Sequence, residues 1–406
     1  MQTVYLDNNA TTQPAPQVVA AMTDVLNEWW GNPSSGHRLG QAARSKVELA
    51  RASVARLIGV RDRQVVFTSG GTEANNLALS GVLKASLEKA GASPRPLVIS
   101  TDVEHPSIGE PIEHLGQRGG RVVTLPVDGN GLVDPKDLVA ALESGACNGR
   151  LALVSIQWAN NETGVIQPIG DLVAACRRHT EACGECRVVF HTDATQAVGK
   201  VVVDAVASGV DLLSLSGHKF HGPKGVGSLY VKPGTRLRRQ TLGGHQEHDR
   251  RGGTENVPSI VGLGVAADLA IRFLGDARAV ERQTALRNRL ERGISTALPG
   301  TVVHASGAKR LWNTSNLGFT GIEAEAVLLA LSEKGVCASA GSACSSGSLD
   351  PSPVLLAMGI PEAVAHGSTR FSLSRDTGDE QIDRALDVVP EVVRHLERTL
   401  PLGPAS

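Results

Sequence analysis

Six short apolar, largely β-branched runs, most of them separated by helix-length stretches, constrain this chain more than any other feature. Val65-Val66-Phe67, Leu97-Val98-Ile99, Val122 to Leu125, Leu151 to Ile156, Val188-Val189-Phe190 and Leu212 to Leu215 read as buried strands. Helical patterns such as Thr72 to Leu87 and Ile169 to His179 lie between most of them. Strands alternating with helices predict a mostly parallel sheet covered on both faces. The gap between Leu215 and the run Gly225 to Val231 is too short for a helical crossover, which predicts one antiparallel neighbour.

After Pro258 the texture changes. Two long helical patterns fill about 258–297, followed by Thr301 to His304, Asn316 to Phe319, a helix over 323–333, a Gly/Ser-rich stretch and Arg370 to Leu373. Ile382, Leu386, Val389, Val393 and Leu396 recur at helical spacing and predict a last amphipathic helix. The division expected from this is a large α/β domain over 16–257 and a smaller α/β domain over 258–406 that also takes in residues 1–15. A chain of 406 residues can bury two such cores without covalent staples. Its 40 basic residues balance 41 acidic ones, so it lacks the basic excess of a nucleic-acid binder. No apolar run is expected to span a membrane, and the first residues lack a signal peptide's basic start and apolar stretch. Six cysteines are too few for a disulfide scaffold, which makes a cytoplasmic protein with free thiols the expectation.

Three segments carry chemistry. Lys219 follows the strand ending at Leu215, inside Ser216-Gly217-His218-Lys219-Phe220-His221-Gly222-Pro223. A lysine just past a strand end, in a stiff Gly/Pro turn, faces the crevice where open α/β sheets bind ligands, and lysine forms Schiff bases with carbonyl cofactors. Taken alone it reads more readily as a solvated loop residue. Asp193 ends the strand Val188 to Thr192, 26 residues upstream, so the two would sit at neighbouring strand ends. A carboxylate there suits the ring nitrogen of pyridoxal phosphate or, more plainly, a helix cap. Phe67 to Asn76 is a strand, a Gly-Gly turn and a helix start, which is either a phosphate cradle or a simple capping box.

Together these segments resemble the group I (NifS-like) cysteine desulfurases, in the class V aminotransferase-like set of fold-type-I pyridoxal-phosphate enzymes. The resemblance runs from Tyr5-Leu6-Asp7-Asn8-Asn9-Ala10-Thr11-Thr12 and Gly31-Asn32-Pro33-Ser34-Ser35 through Glu104-His105-Pro106 and Asn160-Asn161-Glu162-Thr163-Gly164. It ends at Ser342-Ala343-Cys344-Ser345-Ser346-Gly347 and Arg370-Phe371-Ser372. It implies a mostly parallel seven-stranded-type sheet between helices with a smaller C-terminal α/β domain. It also implies that Lys219 carries pyridoxal phosphate as a Schiff base, that Asp193 meets the ring nitrogen and Gln196 the ring oxygen, and that His105 stacks on the ring and shuttles protons. Gly71, Thr72, Ser216 and His218 would grip the phosphate, with Thr254 reaching the phosphate of the other subunit in a homodimer. Asn161 would touch the cofactor, and Arg370 and Asn32 the substrate carboxylate. Two departures stand out: Glu247-His248-Asp249 replaces the family's Glu-Arg-Gly, and Ser107 follows Pro106 where alanine is common nearby.

Cys344 lies among small polar residues over about 338–352, with no apolar anchor, which predicts a mobile loop and a reactive rather than a packing thiol. The resemblance makes it the nucleophile that takes sulfur from L-cysteine as a persulfide, leaves L-alanine, and hands the sulfur to acceptors serving iron–sulfur clusters or thiolated cofactors and tRNA. A selenocysteine lyase or aminotransferase of the same fold would share Lys219 and Asp193 without needing the thiol. Cys183-Gly184-Glu185-Cys186, with Cys176, His179 and His191 nearby, leaves a zinc-binding scaffold as the non-enzymatic alternative, although the spacing is off the usual finger pattern and no metal is expected. Cys147 and Cys337 are expected to pack.

Overall fold

The computed structural model describes residues 3–90, 96–144, 151–184, 187–341 and 350–399. Strand β1 (Val4–Tyr5) precedes seven strands that form one sheet: β2 (Val65–Thr68), β3 (Leu97–Thr101), β4 (Arg121–Leu125), β5 (Leu151–Ser155), β6 (Arg187–Asp193), β7 (Leu212–Ser216) and β8 (Gly227–Val231). Their spatial order is β2-β8-β7-β6-β5-β3-β4. Only β8 runs against the rest, pairing antiparallel with both β2 and β7, as the short gap after Leu215 predicts. Side chains alternate between two cores. Leu97, Ile99, Val154, Phe190 and Leu213 face one helical layer, and Val98, Leu153, Val189 and Leu212 face the other. That two-sided burial is why the strands read as unbroken apolar runs.

The second sheet is antiparallel. It contains β9 (Val302–Val303), β10 (Thr314–Gly318), β12 (Ser339–Ala340) and β13 (Ser368–Ser372) in the order β12-β13-β10-β9, while β11 (Val336–Cys337) pairs with β1 in parallel. Its core takes Val4 and Leu6 from the chain start, Leu290 and Ile294 from the helix Ala277–Ala297, and Ile382, Val389 and Val393 from the helix Asp379–Thr399. The helix Val257–Gly275, expected to open the smaller unit, instead packs Ile260, Leu263, Ala266 and Ala270 into the larger core with Val18, Val47 and Val54. A Cβ on its Gly264 would lie 2.7 Å from the Ala50 Cα, so the helices touch backbone to backbone. We propose, accordingly, that the two units divide near Gly275. This 19-residue helix is also apolar enough by composition to cross a membrane, which the sequence reading did not anticipate; half of it is buried within the protein, as in a core helix.

The departure at residues 247–249 has a backbone consequence. Glu247, His248 and Asp249 take φ values of 48°, 54° and 64°, left-handed geometry that costs any residue with a Cβ. The turn is held from below. Arg51 donates to both Glu247 oxygens at 2.7 and 2.9 Å and lies 4.6 Å over the Phe67 ring, and the Phe67 amide donates to Glu247 at 2.8 Å. Both charges are buried. Arg51→Met leaves the carboxylate enclosed without its cation and is expected to cost about 3–5 kcal/mol in urea unfolding. Replacing Arg51 and Glu247 together with apolar residues should cost much less. A single variant as stable as the parent would mean that the pair does not hold the turn.

Candidate active site

Every sequence-selected group on the large sheet's framework stands at the carboxyl end of a parallel strand, where such sheets open a crevice. Gly71 begins a helix three residues after β2, His105 follows β3, Asn161 follows β5, Asp193 ends β6, and Ser216 to Lys219 close β7. They line one cavity of about 340 Å³ together with Thr72, Gln196 and Arg370. Asn32 and Thr254 do not line it; both are exposed, and Asn32 accepts the Ser34 amide at 2.9 Å to close its own turn. Cys344 lies outside the described residues, as do Cys147 and Cys186.

One end of the cavity is built from donors. The helix starting at Gly71 points its first amides there, beside Thr72, Ser216 and Thr195. A Cβ on Gly71 would meet the Thr195 Oγ1 at 3.0 Å and the Ser216 Cβ at 3.5 Å, so a glycine keeps this cradle open. The Thr195 hydroxyl is buried with no hydrogen-bond partner among the described residues. His218 completes the end; burial, then the neighbouring Lys219, lowers its pKa to about 4, so it stays neutral.

Asp193 is held from two sides. Its Oδ1 accepts the Thr195 amide at 2.9 Å and its Oδ2 accepts the Asn75 side-chain amide at 2.7 Å. Lys219 Nζ donates to the carbonyl oxygens of Asn9 and Ala10 at 2.7 and 2.8 Å, so the segment after β1 roofs the lysine. Gln196 donates to the same Asn9 carbonyl at 2.9 Å. Beneath them Lys200, 4% exposed, donates to Asn9 Oδ1 at 2.9 Å and Gln196 Oε1 at 2.5 Å. Burial, reinforced by Lys219 and Arg370, drives its pKa well below that of a free lysine. Lys200 Nζ donates to both groups and so turns both amide oxygens toward itself. A donor end that suits phosphate, a carboxylate that suits a protonated ring nitrogen and an amine that suits an aldehyde together fit a phosphorylated pyridine aldehyde.

Arg370, on β13, is 1% exposed. Its two terminal nitrogens donate to Asp7 Oδ1 at 2.8 Å and the Asn161 carbonyl at 3.1 Å, and its Nε has no hydrogen-bond partner among the described residues. Arg370 pairs in register with Ser339 of β12, the strand that leads toward Cys344. Glu162 sits at both ends of the intervening segment: its Oε2 accepts the Ser352 hydroxyl at 2.5 Å, and a Cβ on Gly341 would lie 2.2 Å from the same oxygen. Burial raises the pKa of this carboxyl.

Glu104 is the other perturbed carboxyl, pushed up to about 8 mainly by desolvation, with Asp193 adding to the rise. Its Oε1 accepts the Gln157 amide at 2.8 Å and the Thr101 hydroxyl at 3.0 Å, while Oε2 is buried without a hydrogen-bond partner among the described residues. The folded protein therefore keeps a proton on Glu104 at pH values where the unfolded chain has lost it, and that contribution to stability falls as pH rises. Glu104→Gln is expected to gain stability over the parent progressively between about pH 5 and pH 8, read from thermal melting. Parallel pH curves for the two proteins would show that Glu104 ionises normally.

Asn9, Asn75, Thr195 and Lys200 are site residues to which the sequence assigns no role, and Ser107 stands out there only as a departure from the family pattern. Of the cysteine cluster, Cys186 lies outside the described residues. Cys176 is buried and Cys183 is exposed. Both ring nitrogens of His191 are engaged, at 2.9 Å each, by the hydroxyls of Ser155 and Ser214. Among the described residues, no group of three or more His, Cys, Asp or Glu side chains is placed to hold a metal.

The model of the aminotransferase class-V family matches residues 4–385. The chain is 47% identical over 403 residues to "Cysteine desulfurase 2" of Trichormus variabilis, covering 99% of this chain and 96% of that protein. It is 45% identical over 402 residues to "Cysteine desulfurase NifS" of Azotobacter vinelandii, covering 99% and 95%. A solved structure described as a NifS-like protein superposes with a TM-score of 0.86 at 33% identity, covering 97% of this chain and all of that one.

Proposed function

Because the chain belongs to the aminotransferase class-V family, and within it to the cysteine desulfurases, we infer that it converts L-cysteine to L-alanine and keeps the sulfur as a protein persulfide. Enzymes of this kind use pyridoxal phosphate. The observation that carries the residue assignment is the juxtaposition of Lys219, Asp193 and the Gly71 cradle around one cavity. In this reading the cradle holds the cofactor phosphate, Asp193 its ring nitrogen, Gln196 and Asn161 its ring substituents, and Lys219 its aldehyde carbon. When bound, the cofactor supplies an electron sink for a carbanion at the substrate Cα.

The chain's own groups do the rest. Arg370 is already oriented by Asp7 and the Asn161 carbonyl, and it receives the substrate carboxylate as a charge-assisted hydrogen-bond donor. Lys219 Nζ takes the proton from the substrate Cα. The Cys344 thiolate attacks the substrate sulfur; the new S–S bond forms as the Cβ–S bond breaks. Cysteine and an enzyme thiol thus become alanine and an enzyme persulfide, with atoms and electrons balanced. The persulfide passes to thiol-bearing acceptor proteins of iron–sulfur assembly or cofactor and tRNA thiolation. The exposed loop bearing Thr254 supports a homodimer in which that residue reaches the other subunit's cofactor phosphate, and Asn32 assists the substrate carboxylate. We place the protein in the cytoplasm.

The test is purification, an absorbance spectrum in the visible aldehyde-cofactor range, and quantitation of alanine and sulfide from L-cysteine under reducing conditions. Both products are expected in equal amounts. Neither product from cofactor-saturated protein would overturn the reading, and turnover of selenocysteine alone would redirect it to selenocysteine lyase chemistry.

A further inference from the structure

Ser107 stands where the resemblance leads one to expect alanine nearby, and its hydroxyl is not idle. It lies 2.8 Å from the His105 Nδ1 and accepts the Asn75 Nδ2 at 2.8 Å, while the same Asn75 nitrogen donates to Asp193 Oδ2 at 2.7 Å. The direction of every proton along this chain follows from its end. A carboxylate only accepts, so Asn75 must turn its amide nitrogen toward Asp193. The second hydrogen of that nitrogen goes to the Ser107 oxygen. The Ser107 backbone amide donates to His105 Nδ1 at 3.1 Å, which makes that nitrogen an acceptor, so the Ser107 hydroxyl turns its one proton toward it. Two donors converge on Nδ1, so that nitrogen carries no proton and the ring hydrogen sits on Nε2.

The surroundings favour the same state. His105 caps the helix Pro106–Gln117, whose positive end opposes an imidazolium. Arg370 lines the same cavity as a guanidinium, which is always charged. Of the nearby carboxyls, Glu104 and Glu162 have their ionisation opposed by burial, and Asn75 stands between Asp193 and the ring.

We propose that Ser107 and Asn75 are positioning residues that tie His105 to Asp193 and hold it as a neutral imidazole donating from Nε2, so that it serves the reaction as a fixed hydrogen-bond donor and not as an imidazolium acid. This rests on the functional reading above and changes the expected proton-shuttling part of His105. Neutral imidazole donors at helix starts are a known way to polarise an oxygen without a proton-transfer step.

The test is long-range proton–nitrogen NMR of 15N-histidine-labelled full-length protein, without and with cofactor, near neutral pH, with His105→Gln assigning the resonance. In the parent, Nδ1 should appear in the unprotonated range and Nε2 in the protonated range. Ser107→Ala should move the Nδ1 resonance toward the protonated range, and Ser107→Thr, which keeps a hydroxyl, should restore the parent pattern. Steady-state kinetics should show kcat for alanine formation about fivefold lower in Ser107→Ala with KM unchanged, the size of one lost hydrogen bond. A parent ring protonated on Nδ1, or a ring spectrum unchanged in Ser107→Ala, would overturn the proposal. The spectrum is read with or without turnover, so a protein that makes no alanine would refute the functional reading and leave this one still decided by the ring.

Discussion

Cys344→Ser is expected to lower alanine formation from L-cysteine by on the order of 10³-fold or more, while the visible spectrum of the cofactor-loaded protein stays intact. The argument is chemical. A thiolate attacks divalent sulfur well, whereas a serine hydroxyl ionises far above neutral pH and forms no persulfide. Cys183 is exposed and Cys176 is sealed in the core, away from the cavity-lining groups, so serine at either position should leave the rate near that of the parent. The measurement is alanine release together with mass spectrometry of the protein after one turnover. The parent should gain one sulfur atom on the peptide containing Cys344, and the variant none. A Cys344→Ser protein that kept more than a tenth of the activity would transfer the reaction to a thiol-independent lyase.

Lys219→Gln should be comparably severe, with alanine formation reduced by about 10³-fold or more, because one amine both bonds the cofactor aldehyde and moves the Cα proton. Its setting explains why arginine should not substitute. Nζ is held between two carbonyl oxygens, at Asn9 and Ala10, in a space fitted to one ammonium. A guanidinium is larger and does not give up its proton. The cradle at Gly71 and the carboxylate at Asp193 remain in Lys219→Gln, so the variant should still bind the cofactor, now removable by dialysis. Covalent retention of the cofactor after borohydride treatment of the variant would show that another lysine does this work, and buried Lys200 would be the first to examine.

Much of this was readable before the fold was known. The strands announced themselves because each is buried on both faces, and the strand-end turns announced Asp193 and Lys219 because α/β sheets put their ligands there. The residues that escaped share a different property. Asn75 lies inside a helix and looks like an ordinary helix residue until that helix is laid against β6, 118 residues on. Asn9 belongs to a polar stretch without periodicity, and its role depends on a lysine 210 residues away. Lys200 reads as a solvated lysine; only the closed turn around it shows that its nitrogen faces two amides. The helix Val257–Gly275 follows the change of texture along the chain, and periodicity shows that a helix has an apolar face and not which core receives it. At Asp249 the missing glycine is visible in the sequence, but the buried Arg51 that holds the neighbouring Glu247 is not.

The segment after β1 also governs when the site can exist. β1 pairs with Val336–Cys337, the backbone near Asp7 and Asn8 meets Ser372, and a few residues on, Asn9 and Ala10 roof Lys219 while Thr12 bonds the His218 carbonyl. Residues 4–8 must therefore wait for residues synthesised more than 300 positions later. Contacts spanning more than 300 positions pay their loop-closure entropy late, so the large sheet can assemble while the lysine still lacks its roof. Cofactor capture by a nascent or refolding chain should accordingly lag behind sheet formation. A ligand that binds only after both ends have met then shifts the closing step toward the finished molecule by mass action.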